Sequence, residues 1–289
     1  MDRLVSIYLP THNRRQLLER AVDSVLSQTY RNIELIVVND GSTDDTSLFL
    51  NKISQSDRRL VAIDNPRSLG PSPSRNLAVK AAKGFFISGL DDDDEFTPDR
   101  IAQFVDYWNV LAAGSSPPVC LFSQSVFVSG GNRIVTRDRK DHVQFEDLFH
   151  HNYIGNQVFC IRDNLISAGL FDEHLNAWED LDLFMRLLRQ FGEARLLDAP
   201  TYICDVSINR DRISRNEPRI RRAFDIISAK YNELPPAAHQ GLYLQMFSDY
   251  HGIRPTIADF RRFLGWGFDS SGLKQLLKSS IKGLALASA

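Results

Sequence analysis

The first third of the chain alternates short apolar runs with segments in which apolar residues recur at helical spacing. Uninterrupted apolar runs of this length are typical of strands buried on both faces, so we predict four strands. They are Val5–Leu9, Ile33–Val38, Leu60–Ile63 and Phe85–Leu90. Amphipathic helices are expected over Leu17–Leu26, after an N-cap at Ser42, and over about Ser72–Ala82. Strands joined by helices in this way predict a parallel sheet covered on both faces.

The pattern is less regular after Pro98. A hairpin is predicted from Val119 to Val135, turning at Gly130-Gly131. Further predicted elements are strands at Gln157–Ile161, Ala194–Leu197 and Thr201–Cys204 and a helix at Trp178–Phe191. From about Glu217 the chain is predicted to be helical to its end. With no low-complexity linker, we expect one α/β domain over residues 1–215 and a helical C-terminal region over residues 216–289.

Composition places the chain among ordinary globular proteins. Of its 289 residues, 43% are hydrophobic and 24% are charged, and the formal net charge is −2. This balance does not support nucleic-acid binding, which usually needs a basic patch. The three cysteines, Cys120, Cys160 and Cys204, stand apart in apolar segments, which predicts buried thiols in a reducing compartment.

The N-terminal residues and the hydropathy pattern bear on location. Met-Asp-Arg leads directly into a strand-like run, which is unlike a signal peptide. No apolar run approaches the ~18 residues that a transmembrane helix needs. We therefore expect a cytoplasmic protein.

Five consecutive acidic residues, Asp91 to Glu95, directly follow the fourth predicted strand. Carboxylates this close repel one another, and a nearby apolar sheet strengthens the repulsion. A divalent cation with oxygen ligands, such as Mg²⁺ or Mn²⁺, relieves it. The alternative is a solvated acidic loop, but ligands commonly bind at the carboxyl ends of parallel strands.

Other polar residues follow the remaining strands. Asp40 ends the second strand and is placed to accept hydrogen bonds from a base or ribose. Thr11 and Asn13 follow the first strand and are expected to face the same crevice. Arg75 lies in the first turn of a helix, where a positive charge opposes the helix dipole, so an anion there would explain it.

These motifs resemble, in order, those of family 2 glycosyltransferases, which have the GT-A fold. The matching segments are V-S-I-x-x-P-T-x-N-R, V-V-N-D-G-S-T-D, G-x-x-x-x-R-N, L-D-D-D-D, G-L-F-D-E and W-E-D-L-D-L. The resemblance covers roughly residues 4–214. It implies an α/β, Rossmann-like mixed sheet with helices on both faces, and a helical C-terminal appendage.

The resemblance implies a nucleotide-sugar site in the first half, residues 1–118, and an acceptor site in residues 119–215. Asp40 would contact the uracil of a UDP-sugar, and Arg75 the base or the diphosphate. The remaining nucleotide-sugar contacts are expected at Pro10, Thr11, Asn13 and Arg14.

The D-x-D element of the family would be Asp91 and Asp93, with Asp92 between them. An early acid of the run would hold the ribose, so Asp91 and Asp92 are expected at the nucleotide-sugar. Asp93, with Asp91, would ligate the Mn²⁺ or Mg²⁺ that bridges the two phosphates. Asp94 and Glu95 are expected only to shape the loop.

The Trp178-Glu179-Asp180 segment resembles the acceptor-side motif. Asp180 would deprotonate the acceptor hydroxyl, and Glu179 would orient it or the acceptor. The alternative is an acid-rich first helical turn favoured by the dipole. Trp178 would contact an acceptor sugar, although an aromatic residue at a helix start is equally often part of the core.

One position departs from the family. Asn209 stands where many members carry a histidine, and asparagine is the weaker metal ligand. The metal would then depend on carboxylates and phosphates, or Arg210 and Arg212 would contact the diphosphate. The alternative is that these arginines belong to a loop without a binding role.

The C-terminal segment 254–289 is basic and amphipathic. Six basic residues accompany Asp259 and Asp269 and several aromatic and aliphatic residues. Such a composition predicts contact with a membrane surface. The alternative is a helical cap on the catalytic domain or on a second subunit.

We therefore expect an inverting, metal-dependent glycosyltransferase that uses a UDP-sugar. Its acceptor would be a saccharide or lipid-linked chain of a cell-envelope polysaccharide or lipopolysaccharide, at the inner face of the cytoplasmic membrane. The alternatives are a non-catalytic nucleotide-sugar-binding protein and a phosphatase with an aspartate nucleophile. The pattern leaves the oligomeric state open.

Overall fold

Ten strands form one mixed sheet in the computed structural model, which describes residues 2–114, 117–136, 139–156, 158–206 and 216–286, with side chains to residue 281. The strands are β1 (Val5–Thr11), β2 (Ile33–Asn39), β3 (Leu60–Asp64), β4 (Phe86–Gly89), β5 (Asp94–Phe96), β6 (Cys120–Ser129), β7 (Asn132–Val135), β8 (His142–Val143), β9 (Phe159–Ile161) and β10 (Ala194–Asp205). Their order is β3-β2-β1-β4-β9-β6-β10-β5, with β7 paired to β6 and β8 to β10. The first four strands are parallel, and antiparallel pairing begins at β9.

Helices connect and cover these strands. They are α1 (Arg15–Leu26), α2 (Thr46–Ser56), α3 (Pro71–Ala81), α4 (Arg100–Ala112), α5 (Arg162–Ser167), α6 (Glu179–Phe191), α7 (Glu217–Lys230), α8 (Pro236–Gln245), α9 (Ile257–Gly265) and α10 (Ser270–Leu286). A single 3-10 turn lies at Phe145–Phe149. The α/β class, the first four strands, the Gly130-Gly131 hairpin and the helical C-terminal region are all confirmed.

Alternation along the central strands divides the core into two layers. In β1, Ile7 and Leu9 pack on one side with α1, α2 and α4, whereas Tyr8 points to the other side with α3 and α6. Successive side chains of a strand point to opposite faces, so a continuous apolar run buries both. The helices on both faces follow from this pattern.

The structure corrects several element boundaries. Ser42 is not an N-cap, because α2 begins only at Thr46 and the Ser42 hydroxyl instead accepts a hydrogen bond from the Asn13 N–H. The two strands expected at 194–197 and 201–204 are one strand, β10, with register shifts around Pro200. Proline cannot donate to the ladder, so the strand is irregular there without ending. Gln157, the expected start of a strand, lies outside the described residues.

The acidic run contains a strand that the pattern did not predict. The Asp94 N–H bonds to the Asp91 carbonyl, which turns the chain, and β5 then pairs antiparallel with β10. Charged residues are depleted from strands, so the sequence favoured a loop. Because of this turn, the chain changes direction between Asp91 and Asp94, and their side chains stay close to each other.

The C-terminal helices pack on the side of the sheet that α3 and α6 also cover. Phe224 of α7, Leu242 of α8 and Phe263 of α9 are fully buried in the same apolar cluster as α6. Within the described residues, no helix is both long and apolar enough to cross a membrane.

Phe159 tests the packing of the central sheet. Its ring stacks on Phe104 at 5.0 Å and meets Phe86 at 4.8 Å, and none of it is exposed. We expect Phe159→Ala to lower the free energy of unfolding by about 3–5 kcal/mol, because it leaves a cavity. Urea denaturation measures the change. Leu48→Ala, at a side chain that is 74% exposed, is the control and should change stability by less than about 0.5 kcal/mol. Equal losses in the two variants would contradict this account of the core.

Candidate active site

The predicted site residues meet at the carboxyl edge of the parallel strands. Thr11 ends β1, Asp40 follows β2, and Asp91 follows β4. The Asp40 N–H donates to the Thr11 carbonyl at 2.8 Å, and Leu90 donates to Tyr8 at 3.1 Å. Parallel neighbours bring these three chain ends together at one edge of the sheet, where the sequence analysis expects the crevice.

The acidic run splits into side chains with different partners. Asp91, Asp93 and Asp94 each offer a carboxylate oxygen, and these oxygens lie within 4.8 Å of one another. Glu95 points elsewhere, with Arg20 at 3.6 Å. Asp94, expected only to shape the loop, therefore lies in the same cluster as Asp91 and Asp93.

Two members of this cluster have pKa values shifted in opposite directions. Burial opposes ionisation of Asp91, but Arg75 and the Asn156 amide outweigh it and lower its pKa. Burial, followed by the charge of Asp91, raises the pKa of Asp94 to about 7. One carboxyl is thus held ionised, whereas its neighbour ionises only near neutral pH.

Asp92 turns away from the cluster. It is 5% exposed and accepts hydrogen bonds from the Thr11 hydroxyl at 2.8 Å and from Arg14 at 2.9 Å. Arg14 also lies 3.3 Å from Asp93. Asp92 therefore ties the end of β1 to the acidic run, and Arg14 offsets part of the negative charge there.

Asp40 organises the loop between β3 and α3. Its two carboxylate oxygens accept four hydrogen bonds of 2.7–2.9 Å. The donors are the Leu69 and Gly70 N–H groups, the Asn65 amide and the Ser68 hydroxyl. Burial alone would raise its pKa, but these donors lower it. A carboxylate has about four acceptor directions, so contact with a base would replace one of these bonds.

Asn13 joins the loops that follow β1 and β2. Its backbone is left-handed, at φ 53°, and its side-chain oxygen accepts a hydrogen bond from the Thr43 N–H at 2.7 Å. Pro10 lies one residue before the end of β1, beside this junction. Both residues stand at the crevice, with Asn13 acting within the protein as a brace between two loops.

Arg75 connects the two halves of the site. Its guanidinium donates to Asp91 and to Glu179, each at 2.9 Å, and its side chain is 13% exposed. The anion expected at the start of α3 is therefore supplied by the chain itself, from residues 16 and 104 positions away.

Asp180 lies in the first turn of α6, beside Glu179. It accepts hydrogen bonds from the Leu181 N–H at 2.8 Å and from the Asn152 amide at 3.2 Å. Burial raises its pKa, and the neighbouring Glu179 carboxylate raises it further. This is the environment that a general base working near neutral pH requires.

Trp178 precedes this turn in a left-handed conformation, at φ 60° and ψ 20°. The indole is 8% exposed, and its N–H donates to His251 Nε2 at 3.1 Å. This burial favours the core alternative for Trp178 over stacking on an acceptor sugar. His251 belongs to the C-terminal region, so that region reaches the start of α6.

One short loop contains site residues that the sequence did not indicate. Asn152 reaches Asp180, and four residues later Asn156 donates to Asp91 at 2.8 Å and to the Tyr202 hydroxyl at 3.0 Å. Asparagines in a loop carry no periodic or motif signal, so only the folded chain reveals this pair. Asn209, Arg210 and Arg212 lie outside the described residues.

The comparisons with known proteins agree with this geometry. The family model described as glycosyl transferase family 2 matches residues 6–156, just over half of the chain. The chain belongs to glycosyltransferase family 2.

A relative in Escherichia coli K12 extends this match. "Putative colanic acid biosynthesis glycosyl transferase WcaA" is 32% identical over 228 residues, covering 76% of this chain and 79% of the relative. A second E. coli relative, "UDP-Glc:alpha-D-GlcNAc-diphosphoundecaprenol beta-1,3-glucosyltransferase WfaP", is 36% identical over 135 residues, 47% of this chain and 48% of the relative. These matches identify the chain as an enzyme that transfers sugars.

The fold agrees with a solved glycosyltransferase. The crystal structure of S. aureus TarS 1-349 in complex with UDP-GlcNAc superposes with a TM-score of 0.71 at 17% identity. The match covers 91% of this chain and 79% of the TarS 1-349 chain. The fold of this family 2 glycosyltransferase is therefore GT-A. Membership of the family supports neither the phosphatase nor the non-catalytic alternative.

The acidic cluster fits a divalent cation. Three carboxylate oxygens in one cluster match the ligands that Mg²⁺ and Mn²⁺ prefer. Burial, followed by the charge of Asp91, raises the pKa of Asp94, and a bound cation would offset both effects by favouring the ionised carboxylate. Asp91, Asp93 and Asp94 are thus the residues that would hold it.

The raised pKa of Asp94 makes stability depend on pH. Its folded pKa, about 7, exceeds the ordinary 3.8, so its stabilising contribution is complete below pH 3.8 and is lost as pH rises to 7. One such group changes the free energy of unfolding by at most about 1.4 kcal/mol per pH unit. We expect Asp94→Asn to make the decline between pH 5 and 7 shallower. Urea denaturation in EDTA at each pH measures it.

Asp106→Asn is the matched control, because Asp106 is an exposed carboxylate on α4. It should keep the pH dependence of the unaltered chain. If Asp94→Asn also kept that dependence, the assigned pKa of Asp94 would be wrong.

Proposed function

We propose that the chain inverts the anomeric configuration while transferring a sugar from a UDP-sugar to a lipid-linked or saccharide acceptor. The observation that carries the proposal is the Arg75 bridge, which holds the acidic cluster and the Asp180 turn in one site. The UDP-GlcNAc complex of TarS supports a UDP-sugar donor. The diphosphoundecaprenol-linked substrate named for WfaP supports a lipid-linked acceptor.

In this proposal the donor lies along the edge of β1, β2 and β4. Asp40 and the loop it organises receive the uracil, and Thr11 and Pro10 flank the nucleoside. Asp91 and Asp92 would contact the ribose. Arg14 is the exposed cation nearest the acidic cluster, with 42% of its side chain exposed. Because its side chain is partly exposed, Arg14 can contact the diphosphate while it stays paired with the buried Asp92.

Asp91, Asp93 and Asp94 would hold Mn²⁺ or Mg²⁺. When bound, the cation would neutralise charge on the diphosphate leaving group. Asp94 must lose its proton to act as a ligand, and the Asn156 amide and Tyr202 hydroxyl keep the carboxylates oriented. This assignment adds Asp94 to the metal ligands that the family resemblance implies.

Asp180 removes the proton from the acceptor hydroxyl as its oxygen attacks the anomeric carbon. The C–O bond to the diphosphate breaks on the opposite face, so one displacement inverts the configuration. Asn152 orients the carboxylate and Arg75 holds Glu179 beside it. The raised pKa of Asp180 suits a base near neutral pH.

In this proposal, residues 1–215 carry out catalysis and residues 216–289 form a supporting helical region. WcaA is named for colanic acid biosynthesis, which supports a role for this chain in the synthesis of an envelope polysaccharide. Nucleotide-sugars and a lipid-linked acceptor would meet at the cytoplasmic face of the membrane.

Asp180→Asn separates binding from transfer. The amide keeps the shape of the side chain but cannot accept the proton, so we expect sugar transfer to fall by about 10²–10⁴-fold. Affinity for UDP should stay within a factor of two to three of the unaltered chain's, as a rough bound. Asp106→Asn is the control and should change neither quantity. Near-normal transfer by Asp180→Asn would remove Asp180 as the base.

Calorimetric titration of UDP, with and without Mn²⁺, tests the donor and the metal together. We expect binding in Mn²⁺, weaker or absent binding in EDTA, and loss of the Mn²⁺-dependent part in Asp93→Ala. Asp106→Ala should bind like the unaltered chain. GDP that binds more tightly than UDP would replace the proposed donor, and no binding of either nucleotide would reject the nucleotide-sugar site.

A further inference from the structure

The outward side of α9 is apolar and basic. Ile257 is 74% exposed and Leu264 is 45% exposed, and Arg261 lies between them at helical spacing. Phe268, just beyond the helix, is 81% exposed. The opposite side of α9 is buried, with Phe263 fully enclosed.

The helix that follows repeats this arrangement. On α10, Leu277 is 52% exposed and Ile281 is 63% exposed, with Lys274 and Lys278 on the same side of the helix. The buried side of α10 begins at Gly272, where an added Cβ would lie 2.3 Å from the Phe263 ring. The two helices therefore meet at their buried sides. Their two exposed stripes, defined by these residues, are together called the α9–α10 outer face.

The two acids of this region, Asp259 and Asp269, are engaged by other groups of the fold. Asp259 is 3% exposed and pairs with Arg221 at 2.6 Å, and Asp269 accepts hydrogen bonds from the first N–H groups of α10. In the part of the chain that the structure describes, Arg261, Lys274 and Lys278 form no ion pair. The outer face thus presents positive charge that the fold does not neutralise.

We propose that the α9–α10 outer face docks on an anionic lipid bilayer. Exposed apolar side chains can enter the headgroup boundary, and each nearby basic side chain adds about 1 kcal/mol of attraction to an anionic surface. A second copy of the chain fits less well. A two-fold symmetric contact places a patch against itself, so three unpaired cations would face three others.

The outer face is connected to the acceptor side of the active site. Ile257 begins α9 six residues after His251, which bonds to Trp178 beside the catalytic turn. Six residues span at most about 20 Å. A bilayer on this face would therefore lie near Asp180, where a lipid-linked acceptor must be presented. This last step rests on the proposed function, whereas the docking surface itself does not.

Vesicle flotation of the full chain tests the proposal. We expect it to float with vesicles of phosphatidylglycerol and phosphatidylcholine, and not with phosphatidylcholine alone. The triple variant Arg261→Gln, Lys274→Gln and Lys278→Gln should bind on the order of 100-fold more weakly, at about 1 kcal/mol for each cation. A second variant, Ile257→Ser with Leu264→Ser and Phe268→Ser, should also lose binding.

Matched controls use exposed residues elsewhere. Leu48→Ser with Val110→Ser removes side chains that are 74% and 70% exposed, and Lys52→Gln removes a cation on α2. These variants should float like the unaltered chain. Control variants that lost binding equally, or an unaltered chain that failed to float with anionic vesicles, would overturn the proposal.

Two further measurements keep the outcomes distinct. Sedimentation of the unaltered chain and of the serine variant tests whether a second copy of the chain covers this face instead. If dimers form and the variant loses them while vesicle binding is unchanged, the face belongs to a second copy and the bilayer is rejected. UDP binding in Mn²⁺ is measured on the same samples. UDP binding without flotation would reject only the docking surface. Flotation without UDP binding would reject only the proposed function.

Discussion

The Arg75 guanidinium is the contact on which the rest of the site depends. It lies between a carboxylate that follows β4 and another on the first turn of α6, and little of it reaches water. Charges removed from solvent are tolerated when they are paired, and removing one partner of such a pair costs about 3–5 kcal/mol. The bridge therefore links the acidic cluster to the first turn of α6, and it forms only when α3, the end of β4 and α6 are all in place.

Contact with Arg75 also distinguishes the carboxylates of the site by their pKa values. Asp91, which Arg75 contacts, has a lowered pKa. Asp94 and Asp180, which form no ion pair among the described residues, have raised pKa values because burial is not offset. In the proposed mechanism, Asp94 would contact the cation and Asp180 would receive the proton of the acceptor hydroxyl. The raised pKa values of the two groups suit these proposed roles.

The loop at residues 152–156 and the C-terminal region also contact the residues of this site. In the loop at residues 152–156, one asparagine contacts Asp180 and another contacts the acidic cluster. The C-terminal region contributes His251, which accepts a hydrogen bond from Trp178 beside the first turn of α6, and it leaves apolar and basic side chains exposed on its outer side. Residues of α7, α8 and α9 belong to the same apolar cluster as α6, so the C-terminal region and this part of the site share one core.

The sequence by itself determined the α/β class, the four parallel strands and the meeting of Thr11, Asp40 and Asp91 at the carboxyl ends of those strands, and it singled out Asp180 as a candidate. These follow from apolar periodicity and from motifs a few residues long, both of which are local. It did not determine that Arg75 bridges Asp91 and Glu179, that Asp94 joins the cluster, that Asp40 is saturated by its own loop, or that Trp178 is buried. Those facts depend on which distant segments meet, and on the space and solvent left between them. Only the tertiary structure decides them, because pairing and burial are properties of the packed chain and have no signature in residue spacing.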